Sequence, residues 1–166
     1  MPTRDEVVNA ITEKYAGTSV SEFRSQTRIV ISKQNILAVL NDLRDEHDFD
    51  LLIDITCVDY LNFRGASHRF GLAYLLANSE TAERLTVRVM LDEQEASVKS
   101  IVSLWEGANW MEREVWDMFG IRFEGHPDLR RILLPDEFSA HPLRKDYPLQ
   151  GRGERHNFPT ITREQA

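Results

Sequence analysis

The sequence predicts an α+β fold, a mostly antiparallel sheet of about four strands covered by helices and followed by an extended C-terminal arm. Three observations carry that prediction. Three consecutive runs, 51–57, 70–76 and 85–91, place apolar residues at every second position, the period of a strand with one face in the core. Two stretches ahead of them carry apolar residues at helical spacing. Beyond Gly125 the prolines accumulate and no apolar periodicity long enough for a core remains.

The first helix opens at Thr3-Arg4-Asp5-Glu6, which has capping-box spacing, and continues through Val7, Val8, Ile11 and Tyr15 until Gly17 stops it. Arg28-Ile29-Val30-Ile31 reads as a short strand leading to a cap at Ser32. Ile36, Leu37, Leu40 and Leu43 form the stripe of a second helix. Leu51, Ile53, Ile55 and Cys57 are expected on one face of the next strand. Phe70, Leu72, Tyr74 and Leu76 follow across a hairpin loop with Asn62 and Gly65, then Leu85, Val87, Val89 and Leu91. From Ser100 to Phe119 the positions Ile101, Leu104, Trp105, Ala108, Met111, Val115 and Met118 repeat helically, with a break expected at Gly107. Glu106, Trp110, Arg113 and Asp117 fall on the opposite side of that helix. Ile121-Arg122-Phe123 and Ile132-Leu133-Leu134 are expected as two further short strands.

Composition narrows the function. The 166 residues, 42% hydrophobic and 28% charged, suit one globular domain of residues 1–125 with an arm, 126–166, as remainder. No run approaches the ~20 apolar residues of a membrane span, and Met1–Glu6 lacks a signal-peptide core, so a water-soluble, cytosolic chain is expected. The lone Cys57 excludes an internal disulfide framework and a self-contained iron–sulfur cluster; on an apolar face it reads as a buried core thiol. A net charge of −7 argues against nucleic-acid binding. The acidity is uneven: residues 1–111 hold 17 acidic and 11 basic side chains, whereas 112–166 hold 10 and 9.

That second part also carries five of the six prolines and three of the five histidines. Fully extended, 126–166 could reach roughly 130 Å, against a radius of gyration of about 15 Å for a compact domain this size. It keeps Leu129, Ile132, Leu133, Leu134, Phe138, Leu143, Tyr147, Leu149 and Phe158, anchors that a disordered tail would lack. The expectation is a partner surface that accepts them, its carboxylates pairing with Arg130, Arg131, Arg144 and Lys145.

Catalytic and metal readings are weaker. Glu112 and Glu114 point about 200° apart on a helix and make a poor acid–base pair; Arg113 and Asp117, at i, i+4, read as a helix-surface ion pair. His126, His141 and His156 stand 15 residues apart, without the short local spacing of zinc ligands, and two precede proline, where a ring more often serves as a hydrogen-bonding group. Arg130-Arg131 and Arg144-Lys145 are interrupted by Asp128, Asp136, Glu137 and Asp146, so they form no basic patch. Gly151-x-Gly153 lacks the strand, helix and lysine of a phosphate loop. His47 and His68 read as solvated.

One long run, Trp105-x-Gly107-Ala108-Asn109-Trp110-x-Glu112-Arg113-Glu114-x-x-Asp117-Met118-Phe119-Gly120-Ile121-x-Phe123-x-Gly125-His126-Pro127-Asp128-Leu129-Arg130-Arg131-Ile132-Leu133, closely resembles the C-type, or 30-kDa-type, subunit family of proton-pumping NADH:quinone oxidoreductase, respiratory complex I. A second motif of that family is present as His141-Pro142-Leu143-Arg144-Lys145-Asp146-Tyr147-Pro148-Leu149, and an echo upstream as Thr56-x-Val58-Asp59-Tyr60-Leu61. The resemblance covers most of 50–150. It departs at Ala140, where the family often has glycine, which bears on the turn at Phe138–His141.

The resemblance implies a non-catalytic subunit of the peripheral arm of a complex that passes electrons from NADH through FMN and iron–sulfur centres to quinone, coupled to proton translocation. It implies no catalytic, cofactor or metal residue in this chain, the FMN and clusters residing in partner subunits. Its implied neighbours are the D-type, 49-kDa-type protein of the quinone site and iron–sulfur subunits of types B and I. Its implied place is the cytoplasmic face of the cell inner membrane, peripheral and held through the complex. The motif positions carried over as interface residues are Glu112, Arg113, Glu114, Asp117, Gly120, Gly125, His126, Pro127, Asp128, Leu129, Arg130 and Arg131, then His141, Pro142, Leu143, Arg144, Lys145, Asp146, Tyr147 and Pro148. The equivalent subunit of a membrane-bound hydrogenase or another quinone-reducing dehydrogenase is the alternative.

Overall fold

The computed structural model describes residues 4–24 and 26–154. Thr3 of the expected capping box lies outside them, as do His156, Phe158 and Pro159. Helix α1, Arg4–Lys14, buries Val7, Val8 and Ile11. Strand β1, Ser19–Phe23, turns back antiparallel into β2, Gln26–Ile31. Ser32 does act as a cap, but of a single 3-10 turn at Lys33–Asn35 that leads into helix α2, Ile36–Asp45. Strands β3, Leu51–Asp59, β4, Phe70–Ala77, and β5, Arg84–Leu91, form an antiparallel meander, and β5 pairs in parallel with β2. The sheet therefore has five strands in the order β1-β2-β5-β4-β3.

The added strand is β1. All five of its residues are exposed, so it carries no apolar alternation that a sequence pattern could reveal. A second, two-stranded parallel sheet joins β6, Ser97–Lys99, to β7, Arg122–Glu124, with helix α3, Ala108–Phe119, crossing between them. This pairing fixes both ends of the α3 crossover against each other.

The core lies on one face of the large sheet. Phe70, Leu72, Tyr74 and Leu76 of β4 and Leu85, Val87, Val89 and Leu91 of β5 pack with Ile36, Val39, Leu40 and Leu43 of α2 and with Val115 of α3. A buried leucine or valine of this kind contributes roughly 1.5–3 kcal/mol through burial alone. Cys57 is in the same layer, and burial pushes its thiol up to about 12. It is a core residue.

Four expectations are corrected. In β3 a bulge between Leu52 and Asp54 shifts the register, so Leu52, Ile55 and Cys57 face inward while Leu51 and Ile53 are exposed. Helix α3 starts at Ala108 with Gly107 as its cap residue, and Ile101–Gly107 forms turns instead of a preceding helical half. Ile132-Leu133-Leu134 is no strand, because its N–H groups bond a carboxylate in place of another strand. His68 is paired with Asp92, Nδ1 to Oδ1 2.9 Å. Among the described residues no helix is long and apolar enough to cross a membrane.

Candidate functional site

The motif residues assemble where the chain after β7 folds back over α3 and the β3–β4 end of the sheet. Two buried carboxylates organise this return. Asp117, near the end of α3, is fully buried, and its Oδ2 accepts the backbone N–H groups of Ile132, Leu133 and Leu134 at 3.1, 2.8 and 3.0 Å. Its Oδ1 takes the Arg131 guanidinium. Burial alone would raise this carboxyl, but the three N–H donors and Arg131 outweigh it and hold it below the usual carboxylate range.

Asp117 is thus not the surface partner of Arg113 that i, i+4 spacing suggested. Arg113 instead donates to the backbone carbonyls of Arg130 and Arg131 at 3.1 and 2.8 Å. Arg131 also donates to the Ala140 carbonyl at 3.1 Å, and its guanidinium lies over the rings of Trp116 and Phe138. Ala140 has no positive φ, so the turn needs no glycine there.

Gly120 closes α3 in the left-handed conformation, φ +80°, and its N–H bonds the Trp116 carbonyl. A Cβ at this position would stand 2.7 Å from the His141 ring, so glycine is required twice over, by conformation and by the approach of the arm. His141 Nδ1–H donates to the Asp117 carbonyl at 3.0 Å, and the Leu143 N–H to the Met118 carbonyl at 3.1 Å. His126 accepts the Asp128 N–H at Nδ1 and donates from Nε2 to the Asn109 carbonyl. Both histidines therefore serve as the hydrogen-bonding groups expected beside proline.

The second carboxylate is Asp59, at the end of β3. Its Oδ1 accepts the Leu61 N–H and its Oδ2 the Lys145 N–H, both at 2.9 Å, with Arg69 Nη2 at 3.2 Å. Arg69 also holds Asp146 and Glu93, and Arg144 bridges the same two carboxylates. Here too burial opposes ionisation of Asp59, and the Lys145 and Leu61 N–H groups with Arg69 overcome it, leaving its pKa low. The upstream echo motif and the His-Pro-Leu-Arg-Lys-Asp-Tyr-Pro motif, 86 residues apart in the chain, thereby meet in one hydrogen bond.

Arg130, Arg131 and Arg144, expected to find a partner's carboxylates, find them within the chain, Arg130 at Asp128. Arg69 and Glu93 were missed by sequence reasoning: a single charge beside a strand has no local signature that separates a buried ion from a solvated one. Glu112, on the inner side of α3, is fully buried and accepts the Ser100 hydroxyl and the Ile101 N–H, each at 2.7 Å. Burial pushes its carboxyl up to about 7. Glu114, Gly125, Pro127, Asp128, Arg130, Lys145, Asp146 and Pro148 are exposed, as are Trp110, Leu133, Leu143 and Leu149. Leu129, Pro142 and Tyr147 are half-buried, Tyr147 against Phe138.

A family model described as the 30-kDa subunit of respiratory-chain NADH dehydrogenase matches residues 29–153, a stretch that contains both carboxylate nodes and both motifs. The chain belongs to this family. It is similar to the C-type subunit of NADH-quinone oxidoreductase from Citrifermentans bemidjiense, 42% identical over 153 residues, covering 91% of this chain and 93% of that one. The corresponding protein of Trichlorobacter lovleyi is 45% identical over 134 residues, covering 81% and 82%. Among solved structures, the trypsin-resistant fragment (1-134) of Nqo5 superposes with a TM-score of 0.69 at 30% identity, covering 75% of this chain and 98% of that one. A chain of an archaeal respiratory membrane complex, the membrane-bound sulfane sulfur reductase, superposes with a TM-score of 0.71 at 27% identity, covering 87% and 85%. Within the family the α3 motif and the His-Pro-Leu motif read, in this chain, as the two halves of one intramolecular lock.

Proposed function

We propose that this chain is a positioning subunit of the peripheral arm of an NADH:quinone oxidoreductase and carries neither active site nor cofactor of its own. As a member of the 30-kDa subunit family it is part of an enzyme complex, and its partners are other subunits of that complex. Under this reading the arm from His126 onward docks on the 49-kDa-type protein of the quinone site and the iron–sulfur subunits of types B and I. The complex, which holds the FMN and the clusters, keeps the chain at the cytoplasmic face of the inner membrane.

The observation that supports the reading is how the motif's polar groups are used. Asp117, Arg131, His126, His141 and Asp59 are taken up by backbone groups and by one another, which shapes a surface instead of preparing a reaction. Among its exposed charged residues the arm turns apolar ones outward, Leu133 at 61% and Leu143 at 54%, and Trp110 of α3 is 58% exposed. The likeness to the sulfane sulfur reductase chain favours, as a second reading, the equivalent position in a related membrane-bound dehydrogenase or hydrogenase.

The deciding experiment replaces Leu133 and Leu143 by Asp in the tagged full chain co-expressed with the other subunits. Loss of the complex from the tag, with unchanged melting of the purified chain, is expected. Full recovery of the complex would overturn docking through the arm. Truncation after Gly125 is a poorer test, because it would orphan the buried Asp117 and Asp59.

A further inference from the structure

The helices cover only one face of the large sheet, and the opposite face carries its own pattern. By strand register, Ser21, Arg28, Thr86, Leu75 and Asp54 form one row across it, and Ser19, Val30, Arg88, Ala73 and Thr56 the next. Met90, Gly71 and Val58 continue the pattern at one end, and Phe23 with Arg84 at the other. Most of these residues are small or apolar, and the cations among them are all arginine.

Two of the side chains are closely seated. Tyr60 lies against Gly71, where a Cβ would stand 2.7 Å from Tyr60 Cε2 and 3.0 Å from Arg88 Nη2, and Arg88 donates to the Tyr60 hydroxyl. At the far edge the guanidinium groups of Arg24 and Arg28 flank the Phe23 ring at 5.3 and 5.4 Å. Phe23 is 55% exposed and Val58 43%.

Arginines without a carboxylate partner cluster on this face; among the described residues Arg64, Arg113, Arg122 and Arg152 lack one too, but they are scattered over a loop, α3, β7 and the arm. Arg69, Arg131 and Arg144 each hold carboxylates of the chain, yet among the described residues no carboxylate oxygen lies within 4.0 Å of Arg24, Arg28, Arg84 or Arg88. Among the described residues these four arginines have no such counter-ion, although the protein carries 27 acidic side chains and a net charge of −7. Asp54 is the one acid on the rows just named.

We propose that the open sheet face is a second docking surface, separate from the arm, and that its occupant is a carboxylate-bearing surface of another subunit of the complex. Arg24 and Arg28 stack on Phe23 and Arg88 bonds Tyr60, so the guanidinium edges left over, with the whole of Arg84, are available for pairing with Asp or Glu, while Phe23, Val30, Val58 and Met90 supply apolar contact between them. Four strand spacings of about 4.8 Å by six residues of about 3.3 Å give about 400 Å², roughly half of what one partner contributes to a standard interface. The face therefore acts together with the arm, and the chain is gripped from two sides. This rests on the proposed place of the chain in the assembled complex.

The test uses the tagged full chain co-expressed with the other subunits. Charge reversal by Arg28→Glu with Arg84→Glu is expected to lower recovery of the complex about tenfold while the purified chain melts unchanged. Wild-type recovery would overturn the second surface and leave the arm reading intact. Should the reversed chain misfold, Arg28→Lys and Arg84→Lys decide instead, since carbodiimide joins a lysine amine to a touching carboxylate without a spacer. Crosslinks from position 28 or 84 to Asp or Glu of another subunit are expected. Crosslinks to a second copy of this chain, or none, would overturn the proposal. If the wild-type chain recovers no other subunit, the proposed function falls as well.

Discussion

The sheet–helix domain and the arm folded over it are held by different forces. Between β4, β5 and α2 the contacts are almost wholly apolar, and Leu72, Leu76, Val87 and Leu40 meet with no ion among them. Where 126–147 crosses α3 and the end of β3, carboxylates read backbone N–H groups and guanidinium groups fill the remaining lone pairs, beside the apolar seating of Leu129, Leu134 and Phe138. Apolar burial is indifferent to direction, so it suits a scaffold; buried hydrogen bonds are directional, so they suit a segment that must be held in one shape. Helix α3 takes part in both. Glu112 and Asp117, both fully buried on it, are driven in opposite directions, Glu112 up by burial and Asp117 down by its donors.

Loss of Asp117 is expected to have the largest effect, and to spare the domain. Asp117→Ala leaves Arg131 buried without its counter-ion, a loss of about 3–5 kcal/mol. Hydrogen exchange should then accelerate at Ile132, Leu133, Leu134 and Leu143 while the amides of β4 stay protected. Leu72→Ala, costing about 2–5 kcal/mol, should instead accelerate exchange throughout. Identical exchange patterns in the two variants would mean that the domain and the arm unfold as one unit.

Acidity separates the regions next. The raised pKa of Glu112 makes its contribution to stability fully present below its ordinary value of 4.5 and lost as pH rises through about 7, a change of about 3 kcal/mol. The depressed Asp117, Asp59 and Asp146 do the reverse: their contributions are present above the usual carboxylate range and lost as pH falls through their lowered values. Urea unfolding of wild type should therefore weaken from pH 5 to pH 8, and Glu112→Gln should abolish that slope. Acid, in contrast, should release the arm first, read as early exchange at Lys145 and Leu134.

Two smaller effects complete the series. Gly120→Ala forces a side chain into φ +80° and into the His141 ring, costing about 1–3 kcal/mol, visible as a shift of the His141 ring resonances. Asp146→Asn removes one half-exposed member of the Arg69–Glu93–Arg144 cluster, and no more than about 1 kcal/mol is expected, disappearing in high salt. A larger, salt-insensitive loss would show that the cluster behaves as a buried network.

What the sequence revealed follows the same division. α1, α2 and β5 were legible because their burial repeats with the period of the element itself, and β4, buried at nearly every position, because the large Phe70, Leu72, Tyr74 and Leu76 recur at every second residue. β1 was not, having no buried face, and β3 was misread by one residue because a bulge leaves no mark in an apolar run. The family was legible in the motifs around Glu112–Arg131 and His141–Leu149, yet their roles were not. Nothing near Asp117 in the chain shows that three N–H groups arrive from 15–17 residues away, or that Lys145 reaches Asp59. The arm's aromatic Phe138 was read as an anchor for a partner, but it is buried in the chain itself.

The bond from Lys145 to Asp59 also sets an order of events during synthesis. At about 5–20 residues per second, the 86 residues between them separate their appearance by roughly 4–17 s. Local turns and hairpins close in microseconds, so the β3–β4 hairpin has long been complete when the arm arrives. Asp59 lacks the Lys145 N–H throughout that interval, and Asp117 waits in turn for Arg131. The arm can only settle on a domain that already presents both carboxylates, which makes its docking the last step of folding and a record that the earlier steps succeeded.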